Sequence, residues 1–246
     1  MKKPQLLWLI WQNNDTRQRY HVGNLIYQDG LFMFQYEFCS KNRCLQEALE
    51  NGYTPHLAFP ELKMIYTSSN LFGPFARRLP SKSRPDYSKL LTKFGLNEDS
   101  TEMDFLSVTG GKLATDPYEF ASPIYVEDGR LTLEFYIAGW SHYGGDEVIH
   151  QLKVGDSLNL NADPENPKDR FAIKILTSDN RLLGFVPAFY SEALSVAIIS
   201  EAIITNIDSD AISQLKIKIK VEGTLEQKNI KDSNFNYNLL PVYYTE

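Results

Sequence analysis

Long apolar runs are missing from this chain, positive charge is in deficit, and cysteine and histidine are scarce. No stretch is both apolar and long enough to cross a bilayer as a helix, which takes about 20 such residues, so no membrane partner is expected. The run Leu6–Ile10 follows two lysines but stops at Gln12, Asn13 and Asn14, too short for a signal peptide, and it reads as a first strand. Cys39 and Cys44 are separated by four residues in CSKNRC with only four histidines in the whole chain, which leaves no zinc-ligand set nearby. Two reduced thiols beside a turn, in a cytoplasmic setting, is the expectation. With 25 Lys and Arg against 31 Asp and Glu, the formal net charge is −6. That argues against broad coating of duplex DNA, a mode that depends on neutralising many phosphates, but it leaves room for a compact end-binding pocket.

Catalytic signatures are absent too. Gly110–Gly111 has no G-x-x-x-x-G-K-[ST] around it, neither H-E-x-x-H nor G-x-S-x-G occurs, and His21, His56, His142 and His150 are scattered. The carboxylates Asp163, Glu165 and Asp169 cluster in one Pro-rich turn, where turn formation accounts for them, although such a cluster can also bind a cation. No catalytic residue, metal site or cofactor is assigned, and the chain is expected not to be an enzyme.

What is present is an ordinary globular composition, 43% hydrophobic and 23% charged over 246 residues, enough for two small domains each with its own core. The first forty residues alternate as strands, LLWLIW, HVGNLIYQ and LFMFQYEF, with NND and QDG as turns, which predicts an antiparallel meander. Helices are expected over LQEALE, ended by Gly52, over ELKMIY opened by Pro60, from Arg84 to Phe94 with Gly95 behind it, and over EMDFLSVT closed by Gly110–Gly111. Asp99, Ser100 or Thr101 can cap the last of these. Residues 112–128 are rich in turn formers and read as a linker. From Arg130 the strand pattern returns in LTLEFYIAGW, SLNLNA, FAIKIL and LLGFVP. One helix is expected from Ser191 to about Ile199, and ISQLKIKIKVEGTL reads as a long strand carrying Lys216, Lys218 and Lys220 on one face. Closure into a small barrel would remove the sheet edges that such short strands expose. The fold class is therefore α+β: an N-terminal strand-rich lobe with several helices over 1–120, a small antiparallel β-barrel with one or two helices over 130–228, and a tail over 229–246.

Positive charge is concentrated between 75 and 93, where Arg77, Arg78, Lys82, Arg84, Lys89 and Lys93 face Asp86 alone. Arg77, Arg78, Lys82 and Arg84 are the candidate phosphate-facing set; a solvated charged face is the alternative reading.

The stretch from Gly139 to Tyr190 contains AGWSHYGG, a Gly-Asp turn, DPENPKDRFAIKI and GFVP followed by a helix. In order and spacing it resembles the HIRAN domain, an accessory module of SWI/SNF-type fork-remodelling helicases that also occurs alone or fused in bacteria. The resemblance spans about 100 residues. It implies that a 3′-terminal nucleotide is held between two loops, one supplying His142 and Tyr143, the other Asn166, Lys168 and Asp169. The aspartate would lie near the terminal hydroxyl. Lys168 stands where the family has a second-loop aromatic, and its cation can bind phosphate. An Asx turn is the alternative role for Asn166, and Trp140 is expected to pack under its loop.

In the N-terminal half, YTPHLAFPELKMIYTSSNLFGPFARRLPSKSRPDYSKLLTKFGL followed by MDFLSVTGGKLATDPYEF resembles the small N-terminal subdomain of HipA-type toxin kinases. No kinase catalytic core follows it. The partner implied by these readings is DNA, single-stranded or at strand ends. A protein–protein module with a possible protein partner is the second reading, and a small metal-dependent hydrolase or nuclease the third.

Overall fold

The computed structural model describes residues 5–38, 43–127, 129–211 and 213–225, so Cys39 and the tail 229–246 lie outside the described residues. The chain divides into two compact units, Met1–Pro123 and Ile124–Glu246.

The first unit is built on the meander. Strands β1 (Gln5–Gln12), β2 (Arg19–Gln28) and β3 (Leu31–Tyr36) pair antiparallel in sequence order. Asn13 Oδ1 accepts the amides of Asp15 and Thr16 to close the first turn. Asp29 and Gly30 both take left-handed φ, 50° and 82°, as a type I′ hairpin turn requires. Helix α1 (Leu45–Glu50) follows, then strand β4 (Tyr66–Ser68) and helices α2 (Gly73–Ala76), α3 (Tyr87–Lys93) and α4 (Glu102–Thr109). Thr101 and Asp104 form a reciprocal capping box at the start of α4. Strand β5 (Tyr118–Ala121) completes a sheet of order β4-β3-β2-β1-β5.

Alternate residues of the sheet, among them Leu7, Leu9, Trp11, Val22, Phe32 and Phe34, face a core closed by Phe59, Phe75, Met103 and Leu106. Two sequence expectations fail in this unit. ELKMIY is not a helix: it forms turns leading into β4, with Leu62 and Tyr66 packed against the core while Met64 and Ile65 point to solvent. The segment read as a linker, 112–128, contributes β5 to the sheet and a further strand to the second unit.

The second unit holds β6 (Tyr125–Glu127), β7 (Arg130–Tyr136), a short helix α5 (Gly145–Val148), β8 (Leu158–Ala162), β9 (Ile173–Thr177), β10 (Leu182–Phe185), helix α6 (Ala188–Ser195), β11 (Ile198–Ile207) and β12 (Ile217–Thr224). The strands of β7 and β12 alternate buried and exposed residues, the signature of antiparallel sheet with one wet face. Among the described residues the expected closed barrel is not found. Two antiparallel sheets appear instead, β10-β9-β8 and β11-β12-β7-β6, joined through the single bridges Ser157↔Ile203 and Ala138↔Phe185. The helix expected to run to Ile199 ends at Ser195, and the Ile-rich IISEAIITNI becomes β11. Both units combine helices with antiparallel strands, an α+β architecture.

Candidate nucleic-acid interface

The first loop begins where Ala138 and Phe185 exchange backbone hydrogen bonds of 2.9 and 2.8 Å. That approach depends on Gly184, at φ 150°, because a Cβ there would lie 2.4 Å from the Ala138 carbonyl oxygen. Beyond Gly139 the chain makes a 3-10 turn, Trp140–His142. Trp140 is buried beneath the loop and donates its indole N–H to Asp146 Oδ1 at 2.9 Å. Lys216 Nζ, just ahead of β12, reaches the same oxygen at 2.6 Å. The Lys216 hydrogen bond, then that of Trp140, holds the Asp146 carboxyl below the ordinary carboxylate range. Gly145 lies on the Trp140 ring. With its root fixed in this way, the loop carries Tyr143, 43% exposed, with its ring 5.3 Å from that of Phe185, and leaves His142 in solvent.

The second loop, 163–172, is held by its own polar side chains. The Asp163 amide donates to the Ala172 carbonyl at 2.7 Å, and the Asn166 amide donates to the Asp163 carbonyl at 3.0 Å. Asn166 Oδ1 accepts from the Lys168 amide and Asp169 Oδ1 from the Phe171 amide, each at 3.0 Å. Both residues thus serve Asx-type turns. Lys168 is exposed, and the Arg170 guanidinium lies 4.5 Å from the centre of the Phe171 ring, a cation–π contact. At the end of β8, Asp163 accepts from Lys174 Nζ at 2.9 Å and from Asn166 Nδ2 at 3.3 Å; the Lys174 hydrogen bond, foremost, keeps the Asp163 carboxyl below its ordinary range.

The strand register brings the two loops to one end of the β9–β10 pair. Ala138 bridges Phe185, Phe185 lies opposite Lys174, and Lys174 lies opposite Asn161. Directly opposed residues share a face, with Cβ atoms about 4.5–5.5 Å apart, so Phe185, Lys174 and Asn161 form one outward row. Their neighbours Ile175 and Leu160 turn the other way, with Ile175 fully buried. Tyr143 caps this row at the first loop, and the turn bearing Asn166, Lys168 and Asp169 hangs from β8 and β9 at the same end. Sequence reasoning missed Lys174, Phe185 and the Arg170–Phe171 stack. The signals were available: the alternation of FAIKIL sets Lys174 outward, and GFVP puts Phe185 at a strand end.

The basic stretch of the first unit is less available than its composition implied. Arg78 is a correction. Its side chain is 1% exposed and bonds Asp116 at 2.6 Å, the Gly111 carbonyl at 2.8 Å and the Tyr118 carbonyl at 3.3 Å, so it is a core clamp and cannot face phosphate. Arg77 is exposed and also reaches Asp116, at 3.2 Å, while Arg84 pairs through two nitrogens with Asp86. Lys82 is exposed. In the second unit, Lys216, Lys218 and Lys220 are matched by Asp146, Glu134 and Glu222, which neutralises Lys218 and Lys220 of β12 and Lys216 just before it. Among the described residues, no group of three or more His, Cys, Asp or Glu side chains could hold a metal ion, and no helix is long and apolar enough to cross a membrane.

Residues 131–226 match the HIRAN domain. The matched segment begins in β7 and takes in both loops, β12 and the residues just beyond it. Over 98 residues, 38% of this chain, the protein is 31% identical to a Fanconi-associated nuclease 1 homolog of Arabidopsis thaliana, and it spans about a tenth (10%) of that relative's length. Among solved structures, the HIRAN domain of human HLTF is similar with 19% identity and a TM-score of 0.33, over 43% of this chain and 88% of that one. A protein from Lactobacillus plantarum is similar with 15% identity and the same TM-score of 0.33, over 40% of this chain and all (100%) of that one.

Proposed function

We propose that this protein is a non-enzymatic DNA-binding protein whose HIRAN segment engages single strands at their 3′ ends. The observation that carries the reading is the exposed Tyr143 ring, backed by Phe185, on a loop that shares one end of the β9–β10 pair with the Asx turns of Asn166 and Asp169. A terminal base stacks on Tyr143, with His142 beside it; such stacking is worth roughly 1–3 kcal/mol per base. Lys168 meets the backbone phosphate. The Asp169 carboxylate, which also braces its own turn, accepts a hydrogen bond from the free 3′ hydroxyl, a donor that an internal phosphodiester lacks. The match of residues 131–226 to the HIRAN domain supports this assignment. Fluorescence anisotropy with oligonucleotides bearing a free or blocked 3′ hydroxyl tests it. The wild type should prefer the free end about tenfold and Asp169→Ala should abolish the preference. Equal binding of both ends by the wild type would exclude end recognition.

For the first unit, read as similar to the HipA-type subdomain, the proposed role is contact with a protein partner. One short segment there exposes Leu57 (96%), Met64 (51%) and Ile65 (57%), apolar side chains that a partner surface would cover.

A further inference from the structure

We propose that Lys174 is a second phosphate contact for the bound strand, and that Asp163 holds its ammonium in the unliganded protein and competes with phosphate for it. The inference rests on the end-binding reading above and names a residue which that reading does not require. Three observations support it. Lys174 lies directly across from Phe185, the residue that backs Tyr143, so its side chain leaves the same face one strand away from the stacking platform. Its neighbours on β9, Ile173 and Ile175, are buried, which fixes the outward direction of Lys174 by strand alternation. Its partner is a partly exposed carboxylate: Lys174 Nζ and Asp163 Oδ1 are 2.9 Å apart, with 37% and 17% of the two side chains exposed.

An ion pair this exposed adds little to stability, so exchanging the carboxylate for a phosphate oxygen is an inexpensive step. The local charge balance points the same way. The loop and its flanks carry Asp163, Glu165 and Asp169 against Lys168, Arg170 and Lys174, a balance of zero that gains one unit of attraction for a phosphate when Asp163 is neutralised. The shift of the Asp163 carboxyl below its usual range agrees with an engaged ammonium at rest. Asp163 also braces Asn166, and an asparagine at 163 retains a carbonyl oxygen for that bond.

The test is the affinity of the full chain for a fluorescein-labelled single-stranded oligonucleotide with a free 3′ hydroxyl, measured across a salt series. Lys174→Gln should weaken binding about three- to tenfold and reduce the steepness of log K against log salt by about 0.7, the share of one phosphate contact on a single strand. Asp163→Asn should tighten binding at low salt about two- to fivefold, a gain that loss of a merely structural contact does not produce. It leaves β9 untouched, so it reads the same contact should Lys174→Gln fold poorly. Wild-type binding with both variants unchanged overturns the role of Lys174 and leaves the end-binding reading standing. No wild-type binding to any strand removes both.

Discussion

A guanidinium in the interior is expensive unless every donor is met, and Arg78 meets Asp116 and the carbonyls of Pro74, Gly111 and Tyr118. Its neighbour Arg77 shares the same carboxylate from outside, with 55% of its side chain exposed. The two residues look alike in sequence and do different physical work. Arg78→Met strips Asp116 of its buried partner and removes the guanidinium donors of three carbonyls, so urea unfolding should report a loss of about 3–5 kcal/mol. Arg77→Ala removes only an exposed pair and should stay within about 0.5 kcal/mol of the wild type. Equal losses in the two variants would contradict the clamp assigned to Arg78.

Sheet elements of the first unit are tied together across a strand as well as along their ladders. Glu119 on β5 and Arg19 on β2 flank β1, and their side chains meet over it at 3.0 Å, with Lys112 adding a second cation at 2.7 Å. Burial pushes the Glu119 carboxyl upward, but Arg19 and Lys112 outweigh it and bring it below the ordinary glutamate range. A depressed folded-state value means that this carboxylate contributes stability above the unfolded-state value, about 4.3, and loses it as pH falls through the folded one. Glu119→Gln should therefore lower stability at pH 7 on the order of 1–3 kcal/mol, a charged hydrogen bond being lost. It should also flatten the fall in melting temperature between about pH 5 and pH 3; an acid limb identical to the wild type would show that Glu119 does not drive it.

Elements of this kind differ in how far the sequence disclosed them. The meander was legible because its short apolar, β-branched and aromatic runs are punctuated by NND and QDG turns, although only β3 alternates while β1 and β2 are buried on both faces; α4 was legible because Thr101, Asp104 and Gly110 mark its ends chemically. Residues 60–66 misled because Met64 and Ile65 face water while Leu62 and Tyr66 reach the core from turns and a strand, so the apolar spacing is not that of one helix face. β11 was hidden because a helix runs almost directly into it, and isoleucines at 198 and 199 fit the end of one element as well as the start of the next. At the candidate site, turn chemistry disclosed the 166–169 loop. The alternation of FAIKIL sets Lys174 outward, but its closeness to Phe185 follows only from strand register.

At the scale of the whole molecule, a net charge of −6 constrains how a strand can be held. Binding confined to the end of the β9–β10 pair offers Lys168, Arg170 and Lys174, about three phosphate contacts. At roughly 0.7 per contact on a single strand, log K against log salt should then fall with a slope near −2. Were the basic stretch of the first unit also engaged, Arg77, Lys82, Arg84, Lys89 and Lys93 would add up to five cations and steepen the slope toward about −6. The shallow value is expected, because Arg77 and Arg84 already answer Asp116 and Asp86 and Arg78 is enclosed. Anisotropy titrations between about 50 and 300 mM salt separate the two cases, which at the upper end differ by orders of magnitude in affinity. The double charge reversal Lys82→Glu with Lys89→Glu gives an independent reading. Unchanged affinity and slope in that variant would confine strand binding to the second unit, whereas a several-fold loss with a shallower slope would show that the first unit also contacts the strand.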